Sequence, residues 1–270
     1  MYLPLIRKLR SIINKLAPVL AIALILIVWQ TLSVVGVVPK FMLPSPIDVV
    51  MAFMEDFGLL MQHAKTTLIE AFYGLFFGIV LGFVVAIVMD SFDTAYKAIY
   101  PIIIITQTVP TVAIAPLLVL WLGYGIFPKV TLIIITSFFP ITIGLLEGFR
   151  SADKDALNLM KAMGANVFQR FLHIKLPSSM SNFFSGLRIS VSYSIIGAVV
   201  AEWLGGFSGL GVYMTRVRKS YSFDKMFAVI FFISAISLLL MFGVTQLQKF
   251  CMPWDRNKNE YLSKNNKGVK

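Results

Sequence analysis

Long apolar runs separated by short polar stretches dominate the chain, and they predict membrane-spanning helices. Crossing the hydrocarbon core takes about 20 apolar residues. Runs of that order lie at 16–38, 66–89, 180–203 and 225–248. The stretch 98–128 is free of charge and too long for one upright span. Together with the run that follows, it reads as two helices, 98–122 and 129–147, joined by a turn at Gly123, Gly125 and Pro128. The first run is longer than the apolar part of a secretory signal, and no small-residue cleavage site follows it, so it reads as an uncleaved span. The pattern predicts an all-α integral membrane protein with six transmembrane helices filling a domain over 16–250. A segment 1–15 precedes it, a loop at 150–177 separates spans four and five, and a polar tail occupies 251–270.

Composition sharpens this picture. The chain is 58% hydrophobic and only 14% charged, against about 25% charged in soluble domains. Its net charge of +11 sits between apolar runs and at the ends, with no continuous basic face, which argues against a nucleic-acid partner. Most Lys and Arg residues fall in 1–15, at Lys97, in 150–175, at Arg188 and from Lys249 onward. That bias predicts both termini and the 150–177 loop on the cytoplasmic side. Arg216, Arg218 and Lys219 run against the bias. Two readings stay open for them: a docking surface for an acidic partner, or tolerated outside charge.

Catalytic and metal signatures are missing from the sequence. Cys251 is the single cysteine, and His63 and His173 are the two histidines, far apart in the topology. There is no phosphate-cradling G-x-x-x-x-G-K-[ST] loop and no HExxH. The expectation is a non-enzymatic chain that itself binds no metal or cofactor.

The 150–177 loop reads as two short helices. Ser151 or Asp153 caps the first, Gly164 suits the left-handed position after its end, and Asn166 with Gln169 forms a capping box for the second. Leu176-Pro177 is expected to stop that helix and start the next span. Leu157, Leu159, Met160, Met163, Val167, Phe168, Phe171 and Leu172 give the loop more apolar surface than a free loop tolerates. Either the chain's own spans cover it or a second protein does. Polar groups within the spans are candidates for a solute pathway. These are Gln107, Thr108 and Thr111 around Pro110, then Tyr193, Ser194, Glu202 and Trp203. The competing readings are helix–helix hydrogen bonding for Gln107 and Thr108 and an interfacial cap for Glu202. Gly74, Gly78 and Gly82 form a small-residue ridge, suited to packing within the chain or to a dimer seam.

Gly164, nine residues, then Ile174-x-Leu176-Pro177 resembles the cytoplasmic EAA signature of permease subunits in bacterial ABC importers. The Glu-Ala-Ala that should open the pattern is replaced by Asn158, Leu159 and Met160. "LPSPIDVV", "QTVPTVAIAPLLVLWLGYG", "FSGLRIS" and "AEWLGGFSGLGVYM", in that order along the chain, resemble the nitrate/sulfonate/taurine-type permease family. "FFP", "SIIGAVVAEWLG" and "MPW" resemble permeases for the pyrimidine precursor of thiamine.

The resemblance implies a type I ABC importer permease fold in a bacterial inner membrane. It implies two permease copies, an extracytoplasmic substrate-binding protein, and two ATPase subunits that hold ATP and Mg. It implies a coupling helix in the cytoplasmic loop, with Ala156, Met160, Met163, Gly164, Ala165, Phe168, Ile174, Leu176 and Pro177 at the ATPase contact. Two rivals remain. An ion-gradient transporter should show paired charges at midmembrane and inverted repeats, whereas Glu70, Glu147 and Glu202 lie near span ends and no repeat is visible. A non-transporting scaffold would need only the docking loop.

Overall fold

The structure is a computed structural model that describes residues 3–36, 38–39 and 41–253, with side chains from residue 16 onward. The expected tail therefore lies outside the described residues beyond 253, as does Trp254.

The chain forms two compact units. The first combines the chain up to Met61 with Tyr213–Phe232. It contains α1 (Leu3–Val34) and α2 (Pro46–Glu55). Ser45 opens α2 with a reciprocal capping box to Asp48, and Pro46 occupies the first turn, where its missing N–H costs nothing. Trp29 Nε1 donates to Pro44 O at 3.0 Å and Ser33 Oγ donates to Leu43 O at 3.0 Å, which pins the linker between the two helices. Val49, Ala52 and Ala228 form a small core walled by Trp29, Phe53 and Phe227. Asp56 accepts from Tyr213 Oη at 2.7 Å and from Lys225 Nζ at 3.1 Å.

The second unit runs from Gln62 to Val212 and resumes at Ile233. Its helices are α3 (Phe57–Ser91, mostly in this unit), α4 (Asp93–Thr106), α5 (Thr111–Leu122), α6 (Ile126–Arg150), α7 (Lys154–Ala162), α8 (Val167–Arg170) and α9 (Leu176–Gly205). α10 (Leu210–Lys219) and α11 (Phe223–Cys251) each continue from one unit into the other. The α6–α9 pair is the spine. A Cβ on Gly144 would meet the backbone of Asn182, one on Gly148 would meet Ser179, and one on Gly186 would meet the carbonyl of Pro140. The two backbones therefore approach as closely as small residues permit, which suits packing in lipid. Gly74, Gly78 and Gly82 of α3 lie in the same way against Ile133, Ser137 and Ile141 of α6, so the ridge serves packing within the chain. Ile141, Leu145, Phe149, Phe184, Leu187 and Val191 form the adjoining core.

Among the described residues, five helices are long and apolar enough to cross a membrane, or six when α4 and α5 count as one bent span. The sequence expectation of one span over 98–122 meets two helices bent by 100° across residues 107–110. Pro110 explains the break: it cannot donate a helical hydrogen bond, and it sits in extended geometry as the N-cap of α5. A second difference lies at Leu176-Pro177. The helix does not stop there but passes through a π turn at Phe171–Lys175 straight into α9. The wider turn relieves the clash that Pro177 would otherwise make one turn back.

Candidate functional site

Three regions hold the candidate side chains and the polar groups buried near them. The first is the segment between α6 and α9. Asp153 caps α7 by accepting from the N–H groups of Asp155 and Ala156. Gly164 takes φ +86, and Ala165 N donates to Met160 O, which closes α7 as a left-handed glycine cap should. Asn166 and Gln169 exchange two 2.8 Å hydrogen bonds at the start of α8. The segment has two faces. Ala156, Met160, Ala165, Ile174 and Leu176 are half-buried, with Leu176 and Phe171 against the α6–α9 core. Leu159, Met163, Val167, Phe168 and Leu172 are exposed, Met163 and Phe168 at 77% and 69%. Gly164 and Pro177 are exposed as well. Lys175 Nζ ties the segment to Asp90 at the end of α3, at 2.7 Å. The chain's own spans thus cover part of the apolar surface and leave part of it open.

The second region is a pair of cavities along α6 and α9. One, of about 310 Å³, is lined by Thr106, Gln107, Pro110, Thr111, Thr136 and Tyr193 with apolar neighbours. The other, of about 390 Å³, is lined by Gln107, Phe139, Glu147, Asn182, Ser185 and Tyr193 among others. Four sequence candidates, Gln107, Pro110, Thr111 and Tyr193, meet here. The other four line neither cavity. Thr108 Oγ1 turns back to Ile105 O at 2.8 Å, and Ser194 is buried with its hydroxyl on Val191 O. Trp203 is 43% exposed.

Glu202, the fourth, belongs to a third region that sequence reasoning missed. It is 1% exposed. One carboxylate oxygen accepts from Thr67 Oγ1 at 2.7 Å and the other from Gly211 N at 2.6 Å. Leu210 N donates to Thr67 Oγ1 and Gly209 N donates to His63 Nδ1, each at 2.9 Å. Gly209 holds φ +125, and a Cβ there would run into the Glu202 carboxylate. Lys129 Nζ pairs with Glu70 Oε1 at 2.5 Å, both side chains almost fully buried. The cluster clamps α3, α6, α9, the turn 206–209 and the start of α10. The available signal was the presence of lone charges in apolar runs; their pairing across distant helices was not visible in one sequence.

Residues 78–251 match the model of the binding-protein-dependent transport system inner membrane component family. The chain is 34% identical over 244 residues to the formylaminopyrimidine transport permease protein ThiX of Halalkalibacterium halodurans, covering 90% of this chain and 97% of that one. It is 36% identical to a probable ABC transporter permease protein of Haemophilus influenzae, covering 87% and 96%, and 28% identical to the taurine transport system permease protein TauC of Escherichia coli, covering 86% and 87%. Its fold resembles a chain of the MetNI methionine ABC transporter in an inward-facing conformation, with TM-score 0.64 at 17% identity, covering 72% of this chain and 96% of that chain. The chain therefore belongs to the family of inner membrane components of binding-protein-dependent transport systems, and it is the non-enzymatic permease subunit of an ABC importer for small solutes.

Proposed function

We propose that this chain forms the membrane pathway of an importer for a small, flat heteroaromatic solute of the thiamine-precursor pyrimidine type. The similarity to ThiX over nearly its whole length carries the reading. The cavity linings agree with it: the Tyr193 ring, the Gln107 amide and threonine hydroxyls suit a planar solute with a hydrogen-bonding edge. The chain works as one of two identical copies, receives solute from an extracytoplasmic binding protein, and couples to two ATPase subunits that hold ATP and Mg. Both termini and α7–α8 face the cytoplasm, an orientation that the Lys and Arg distribution supports. The exposed face of Leu159, Met163, Val167 and Phe168 docks on the ATPase, with Ala156, Met160, Gly164, Ala165, Ile174, Leu176 and Pro177 shaping and bracing it. With Asn158 where the EAA signature has its glutamate, that docking rests on apolar contact.

The test is ATP-driven uptake by the reconstituted complex with its binding protein. Labelled formylaminopyrimidine should accumulate, and taurine should not. Accumulation of taurine alone would overturn the solute assignment.

A further inference from the structure

The two cavities are stacked along one wall. On α6 the first uses Ile135 and Thr136 and the second uses residues from Phe139 to Glu147. On α9 the first uses Tyr193, Ile196 and Gly197 and the second uses residues from Asn182 to Tyr193. At 1.5 Å per residue, 182 to 197 spans about 22 Å, most of a hydrocarbon core of about 30 Å. Two of the lining residues, Gln107 and Tyr193, belong to both cavities.

These two side chains come from independent elements. Gln107 sits at the C-cap of α4, where the 100° break turns the chain toward α5. Tyr193 stands in the middle of α9, on the helix that the Gly186 and Gly148 contacts hold rigidly against α6. Tyr193 is 44% exposed. Among the described residues neither the Gln107 amide nor the Tyr193 hydroxyl has a hydrogen-bond partner. Leaving such groups unpaired at membrane depth is costly unless they face a cavity that water or solute enters.

We propose that Gln107 and Tyr193 form the wall between two solute chambers, one toward the α7–α8 end of the span and one toward the opposite end, so that a passing solute must contact both. This rests on the reading of the chain as a solute pathway and names its barrier.

Ile189 and Ile196 bracket Tyr193 on α9, one lining each chamber and both well exposed. The test places a single cysteine at either position in a Cys251→Ser background, in the full transporter complex without ATP. The membrane-impermeant thiol reagent MTSES is applied to the side bearing α7 and α8, which an Asn158→Cys variant identifies. A closed wall excludes the reagent, so Ile189→Cys should react at least ~10-fold faster than Ile196→Cys. The double change Gln107→Ala/Tyr193→Ala should abolish that difference, and Tyr193→Phe, which keeps the ring, should retain it. Recovery of assembled complex by size-exclusion chromatography checks that each variant folds. Equal rates with the wall intact, or a difference that survives the double alanine change, would overturn the proposal. The reagent is not the solute, so this outcome is independent of which solute the importer carries.

Discussion

The Glu70–Lys129 pair shows how a buried charge near the end of an apolar span is kept. Removing one partner leaves the other buried without its ion-pair partner, and that costs about 3–5 kcal/mol. Glu70→Gln should therefore lower the melting temperature of the purified chain strongly, and Glu70→Gln/Lys129→Met should recover much of the loss. A double change no better than the single one would show that the pair is not the stabilising unit. Asp56 makes a second residue-scale prediction. Burial pushes its carboxyl upward, but hydrogen bonds from Tyr213 and Lys225 outweigh this and hold it below its ordinary 3.8. Burial and the Asp56 acceptor both push the Tyr213 hydroxyl upward, so it remains a donor at neutral pH. A depressed carboxylate contributes stability above its unfolded value and loses it as pH falls through the folded value. The melting difference between the parent chain and Asp56→Asn should thus be largest near neutral pH and shrink as pH drops below 3.8.

At the scale of elements, glycine sets how closely the spine helices approach. A side chain at Gly186 would strike the Pro140 carbonyl, which is backbone and cannot step aside. Gly186→Val should destabilise by about 1–3 kcal/mol, as overpacking does, whereas Gly243→Val on α11, with open space around it, should be near neutral. Thermal unfolding in detergent distinguishes them. Short-range chemistry made much of the α7–α8 segment legible in the sequence: Asp153, Gly164 and the Asn166–Gln169 pair act within a few residues, and each makes the bond its type predicts. The π turn before Pro177 was not legible, because a proline there signals a helix end or restart and carries no local mark of an unbroken passage. The α4–α5 break was half-legible. Pro110 signals a defect, but only packing decides between a kink and a 100° turn.

For the whole molecule, hydropathy alone foretold an all-helical membrane protein, because the bilayer demands long apolar helices whatever their packing. The site was less accessible. Gln107, Pro110, Thr111 and Tyr193 stood out as polar or helix-breaking residues in apolar runs, and they meet at the cavities. Ser194 and Glu202 stood out for the same reason yet turn into buried hydrogen bonds. A single sequence cannot tell which way such a side chain points. The proposed orientation has a direct check in the single cysteine, Cys251, which is exposed at the end of α11. An impermeant maleimide should label it in inside-out vesicles and not in right-side-out ones, and the reverse pattern would invert the topology.

In the proposed transporter the outward apolar face of α7 and α8 transmits ATPase motion to the pathway. This role is tested most directly by Val167→Asp/Phe168→Asp in the reconstituted transporter, measuring ATP-driven uptake together with the ATPase that co-purifies. Loss of a central aromatic anchor typically costs ~2 kcal/mol or more of binding, so the account predicts loss of both the co-purifying ATPase and uptake, with the chain still inserted in the membrane. Undiminished uptake with the ATPase still bound would contradict it.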